Sequence, residues 1–199
     1  MVAAGDCILD KLLVDCLACK HPCLMEFLDA VINTTAYGYS RNGKGRGAAL
    51  GFERILHIYL ANCLINSLHT HGYILHMDEK IRIGSIVARY DFSLCNSSGR
   101  VIEVIEIKAI EDNNFSILKG DLNKLNLLKR SNPSVCAFLL CFRIVSGTVL
   151  GSSRKKISSF IGKLSSKGLS VHIRCWNRLL SKSLGSKSYT IDYILFEVC

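Results

Sequence analysis

The chain has 199 residues, of which 49% are apolar and 21% charged, and it carries a net charge of +9. At about 100 to 200 residues per domain, that length allows one compact domain with an appendage or two small ones. The composition excludes a disordered chain, and the longest apolar run, Val135 to Phe142, is far short of the ~20 residues a membrane-crossing helix needs.

Asp6 and Asp10 stand where a secretory leader would be basic and then apolar, so a soluble, intracellular, cytoplasmic protein is expected, with no membrane partner. From Asp6 to Ile32 the apolar residues Ile8, Leu12, Leu13, Leu17, Leu24, Phe27, Leu28 and Val31 recur at helical spacing. A break near Pro22 divides them into two short helices. Tyr37 to Gly47 is glycine-rich and basic and reads as a loop or linker. This divides the chain into an N-terminal helical extension, 1–36, and a main domain, 37–199. Ala48 to His71 repeats the helical pattern and ends at Gly72, the residue type that best closes a helix in a left-handed conformation.

After Gly72 the period becomes that of strands. Tyr73 to His76, Ile81 to Val87, Tyr90 to Cys95 and Val101 to Ile110 are candidate strands, with a turn signal at Asn96 to Gly99. Ile117 to Lys129 predicts a helix, and Val135 to Val145 a strand buried on both faces. Ser153 to Lys167 predicts a basic amphipathic helix, and Leu169 to Cys175 and Tyr189 to Val198 two last strands. The order implies an α/β fold with a central mixed sheet flanked by helices.

Ten cysteines leave the redox state open. Cys16, Cys19, His21 and Cys23 carry ligand types that suit zinc, but no second matching pair lies nearby. The alternative is that the three cysteines are small apolar residues on one helix face. The charge is more informative. Between Leu122 and Ile191 there is no Asp or Glu, yet the segment holds thirteen Lys and Arg residues, a one-signed half that suits a polyanion. Lys124, Arg154, Lys155 and Lys156 in it, with Lys44 and Arg46 in the glycine-rich segment, are candidate phosphate contacts.

The sharpest local feature is the pair of strands around Asn96 to Gly99. A hairpin with Asn96 opposite Gly99 would set Asp91 opposite Val104, with Glu106 and Lys108 along the same face. That diagonal spacing, ~7 to 8 Å, lets two carboxylates close on one divalent cation. Hard oxygen ligands such as Asp91, Glu106 and the carbonyl of Ile107 suit Mg²⁺ or Mn²⁺, and the Lys108 ammonium suits orientation of a water or stabilisation of negative charge.

Asp91 followed by Glu106, Ile107 and Lys108 resembles the signature of the PD-(D/E)xK nuclease superfamily, an Asp on one strand and Glu-x-Lys on the next, with Tyr90 where the motif has Pro. Arg46, Gly47, Glu53 and Arg54 at the head of a long helix resemble the opening of archaeal Holliday junction resolvases, and the match continues through Asp121 to Leu125 and the strand Val135 to Ile144. The resemblance implies a restriction-endonuclease-like core and a metal-dependent DNA endonuclease, with catalytic residues Glu53, Asp91, Glu106 and Lys108. It further implies a Mg²⁺ or Mn²⁺ cofactor held by Asp91, Glu106 and Ile107, a DNA partner and a homodimer. A catalytically inactive nucleic-acid-binding module on the same fold is the alternative.

Overall fold

The computed structural model describes residues 7–19, 21–42, 48–69, 71–147 and 152–199. Three helices open the chain: α1 (Ile8–Ala18), α2 (Pro22–Asn42) and α3 (Ala48–His69). Each buries a row of residues spaced by about one turn, Leu9, Leu13 and Leu17, then Leu24, Leu28 and Ile32, then Phe52, Leu56, Leu60, Leu64 and Leu68, as helices laid on a sheet do. Pro22 starts α2, where its missing N–H costs nothing. α2 does not stop at residue 36 but runs through Asn42, so the first half of the expected loop at Tyr37 to Gly47 is helical. One glycine inside a helix costs only ~1 kcal/mol, too little to end a helix whose earlier turns are packed. The rest of that segment, with Lys44 and Arg46, lies outside the described residues.

Six strands follow: β1 (Ile74–Ile83), β2 (Ile86–Cys95), β3 (Val101–Glu111), β4 (Cys136–Ser146), β5 (Val171–Leu184) and β6 (Lys187–Val198). They form one mixed sheet in the order β1-β2-β3-β4-β6-β5. Among the described strands only β3 and β4 pair in parallel. Their crossover passes through a 3₁₀ turn (Phe115–Leu118) and α4 (Lys119–Ser131). α5 (Ser153–Ser165) links β4 to β5. Helices α1 to α3 share one core with Phe92, Ile105, Ile107, Phe138, Leu140, Phe142 and Tyr193. α4 and α5 share the other with Tyr90, Val104, Leu139, Cys141, Ile194 and Phe196. The protein is thus an α/β fold, a six-stranded mixed sheet flanked by five described helices, as the element order implies. No helix among the described residues is long and apolar enough to cross a membrane.

Three sequence expectations change. Tyr73 to His76, Ile81 to Val87 and Tyr90 to Cys95 are not three strands but the two arms of one hairpin, turning between Ile83 and Ile86. Gly84 holds φ +60° there, the conformation a two-residue turn of this kind demands at its first position. The strand expected at Leu169 to Cys175 runs on to Leu184 and turns the same way, at Gly185 with φ +60°. Lastly, Asn96 donates its N–H to the carbonyl of Arg100, not Gly99, and a bulge falls at Leu94 and Cys95. The ladder therefore pairs Phe92 with Ile105 and Ser93 with Val104; Asp91 is not opposite Val104.

Two buried polar arrangements fix the layers. Glu103 on β3, 2% exposed, accepts the N–H groups of Ile8 at 2.6 Å and Leu9 at 2.9 Å, capping α1 from a distant strand. Cys7, at the head of the same helix, is disulfide-bonded to Cys136, the residue beside Glu103 in the β3/β4 register. α1 is therefore clamped to the sheet at one point. In the sheet centre, Arg143 is fully buried and donates to Asp192 (Nε to Oδ1, 2.9 Å) and to Asn113 (2.6 Å). Trp176 donates to the same Asp192 carboxylate at 2.9 Å. Trp176 is thus packed against the core beneath α4 and α5.

Candidate functional site

The β2/β3 ladder pairs as far as Phe92 and Ile105 and no further. One step beyond, its register sets Asp91 across from Glu106. The faces also change there: Tyr90 packs on the α4 side of the sheet, Phe92 on the α3 side. Asp91 uses this opening. Its Oδ2 accepts the backbone N–H of Ile107 at 2.6 Å, a donor that continued strand pairing would have claimed. Asp91 and Glu106 thus stand at facing positions of neighbouring strands rather than on the diagonal expected from sequence.

Glu106 sits 5% exposed in an ion pair with Lys124 of α4. Burial pushes its carboxyl up from 4.5 to about 8; Asp91 adds to the shift, and Lys124 opposes it. Tyr90 lies at the same place with Lys124 over its ring, 4.9 Å from the centroid. Burial, then Glu106, drives its phenol up to about 12. Among the described residues, the Tyr90 hydroxyl and His57 Nε2 are buried without a hydrogen-bond partner. The His57 nitrogen is 3.7 Å from Asp91 Oδ2.

Lys108 and Glu53 complete the group. Lys108 Nζ stands 3.4 Å from Glu53 Oε1, and Glu53 Oε2 accepts the N–H of Ala109 at 3.3 Å. Burial works to lower the Lys108 ammonium, but Glu53, Asp121 and Asp91 outweigh it and hold it above the ordinary lysine value. Glu53 reaches the strand from one side of the sheet, in α3, while Lys124 and Asp121 come from α4 on the other. The split between β2 and β3 is where both sets meet.

The four residues expected to be catalytic, Glu53, Asp91, Glu106 and Lys108, are therefore brought together, with Ile107 between the last two. The expected phosphate contacts divide. Arg154, Lys155 and Lys156 are exposed on α5. Lys124 instead is drawn inward, to Glu106, to the Tyr90 ring and to the carbonyl of Arg89 at 2.8 Å. Sequence reasoning passed over Tyr90 and Asp121 as site members. A usable signal was present: Asp121 and Lys124 are one turn apart on a helix whose buried row is Leu122, Leu125 and Leu128.

The cysteine motif does not form one helix face. Cys16 lies in α1, Cys19 caps its end, and Cys23 lies in α2, with Cys19 and Cys23 exposed. No group of three or more His, Cys, Asp or Glu side chains close enough to hold a metal occurs among the described residues.

These features define an α/β protein that gathers the carboxylates of Glu53, Asp91, Glu106 and Asp121 and the ammonium groups of Lys108 and Lys124 at a split between neighbouring strands of a mixed sheet. It is 30% identical over 182 residues to an uncharacterized protein of Aquifex aeolicus (strain VF5), aq_aa32, the match covering 87% of this chain and 90% of that one. The chain belongs to the same family as that protein. No protein-family model matches the sequence, and no solved structure matches it.

Proposed function

We propose that the protein is a metal-dependent DNA endonuclease of the PD-(D/E)xK type, hydrolysing phosphodiester bonds at the β2/β3 split. The observation that carries this reading is the meeting of Glu53, Asp91, Glu106 and Lys108 from two strands and a helix. A surface ion-pair ladder would not bury one carboxylate beside a second, because the like charges cost energy unless a cation joins them.

The donor set suits a hard divalent ion. Asp91 and Glu106 offer oxygen only, and Mg²⁺ takes one or two carboxylates while keeping several waters, so no third protein side chain is required. Asp91, Glu106 and the Ile107 carbonyl would hold it, and Glu53 would join through water. When bound, Mg²⁺ or Mn²⁺ would offset charge on a phosphate oxygen and make hydroxide available near neutral pH. Glu53 keeps the Lys108 ammonium charged and fixes its direction, so that Lys108 orients the attacking water and stabilises the charge that develops. Lys124 holds the Glu106 carboxylate in place from α4. The exposed lysines of α5 supply phosphate contacts.

A structure-specific, resolvase-like enzyme acting as a homodimer is the finer form of this proposal. It is supported by α3, which exposes Ile55, Ile58 and Ile65 along one stripe of the face turned away from the sheet, an apolar surface of the kind that pairs helices between copies. The second reading, a nucleic-acid-binding module without catalysis, is favoured by one observation: Glu106 and Glu53 already have ammonium partners.

Cleavage of labelled branched, duplex and single-stranded DNA in Mg²⁺ and in EDTA tests the proposal. Cutting in Mg²⁺ alone, abolished by Asp91→Ala, is expected. Equal products in EDTA would refute the metal dependence, and no cutting of any substrate while DNA is still bound would replace the proposal with the second reading.

A further inference from the structure

Beyond the acidic cluster, the 3₁₀ turn and α5 enclose an open groove of about 510 Å³. Lys119, Lys155, Lys156, Lys163 and Lys167 line it, and no carboxylate does. All five are exposed. Its floor is apolar and braced. Phe160 stacks on Phe115 with ring centroids 5.8 Å apart and planes 25° from parallel. The Arg143 guanidinium lies 5.8 Å from the Phe115 ring and also fixes Asn113, which lines the same groove.

We propose that this groove binds a single-stranded segment of nucleic acid, its phosphates on the lysines and a base on Phe160. The charge requires a polyanion, and the spacing selects an extended one. Lys155 and Lys163 are eight residues apart on α5, about 12 Å along the axis, a span that an extended strand covers with successive phosphates. A free phosphate or diphosphate spans much less. The aromatic floor selects unpaired bases, since a duplex turns only its phosphates outward to such a wall while a single strand can stack on it. The groove also leads to the acidic cluster: Lys119 lies five residues before Lys124 on α4, and Lys124 holds Glu106. In that respect the inference rests on the nuclease reading and names the strand its site would receive.

The test is run in EDTA, so that binding is read without cleavage. Fluorescence anisotropy of a labelled oligodeoxythymidylate of about a dozen nucleotides is measured against salt for four proteins. These are the wild type, a Lys119→Ala, Lys155→Ala, Lys163→Ala triple variant, Phe160→Ala, and Lys182→Ala, whose lysine pairs with Asp29 of α2. The triple variant should bind roughly tenfold or more weakly, and its log K against log salt should be shallower by about 2, at ~0.7 per lost single-strand phosphate contact. Phe160→Ala should bind roughly fivefold to a hundredfold more weakly with its salt slope unchanged, and Lys182→Ala should match the wild type. Wild-type affinity and slope in the triple variant would overturn the inference. So would tighter binding of a duplex of the same length, or displacement of the oligonucleotide by inorganic tripolyphosphate at equal concentration. Should this pattern hold while no Mg²⁺-dependent cutting is found, the groove stands and the nuclease reading falls.

Discussion

Glu106→Gln should stabilise the metal-free protein, and by an amount that grows with pH. The folded chain raises the Glu106 carboxyl from its ordinary 4.5 to about 8. At about 1.4 kcal/mol per tenfold change in proton affinity, the ionised carboxylate costs the folded state up to about 5 kcal/mol. The folded value lies above the unfolded one, so the stability that the protonated group permits is fully present below pH 4.5. It is lost as pH rises through 8. Glutamine keeps the shape and an acceptor for Lys124 and removes the titration. Relative to wild type, the variant should therefore gain stability progressively between pH 4.5 and 8 and level off above that. Relaxation around the charge brings the expected plateau to about 2 to 5 kcal/mol, a large part of the ~5 to 15 kcal/mol typical of a domain. Urea unfolding in EDTA at intervals from about pH 5 to pH 9 reads this directly. A difference between the two proteins that is constant with pH, or that shrinks as pH rises, would refute the placement of Glu106 beside Asp91 in a buried setting.

Asp192→Asn leaves the Arg143 guanidinium buried without its counter-charge and should cost about 3 to 5 kcal/mol in urea unfolding; a loss under 1 kcal/mol would mean that water reaches Arg143. Glu103→Ala frees the two α1 donors now held by the carboxylate and should cost about 1 to 3 kcal/mol, with faster amide exchange confined to the start of α1. Uniform exchange across the chain would contradict that clamp. Cys7→Ser opens a disulfide that spans 129 residues and should cost about 2 to 5 kcal/mol. That difference should vanish when the wild type is measured in reductant, and its persistence there would assign the loss to packing.

The sheet and the helices that flank it were legible because burial leaves a period in the sequence. β4 reads as an unbroken apolar run since it is covered on both faces, and α4 and α5 show their buried rows plainly. The register at the site was not legible. It depends on which residue Asn96 pairs with and on a bulge at Leu94 and Cys95, and the two residues of slip they add change which carboxylates face each other without changing any local pattern. The Gly-Ser turns at Gly84 and Gly185 were missed for the opposite reason: the signal is two residues long, at Gly84 it lies within the apolar-rich stretch Ile81 to Val87, and at Gly185 the flanking serines and lysines read as loop. Asp91, Glu106 and Lys108 stood out as charges in apolar strands. Lys124 stood out only as one of many lysines, because its role depends on α4 crossing over β3. Glu103 and Arg143 gave no sign of their partners, which lie 95 and 49 residues away.

The reading of the β2/β3 split is tested most directly by single-turnover cutting of labelled branched DNA in Mg²⁺ by the Lys108→Met variant, alongside binding of the same DNA in EDTA. Binding equal to wild type, with cutting slower by about a hundredfold or more, is expected for a group that acts on the developing charge. Cutting at the wild-type rate by Lys108→Met would contradict the account.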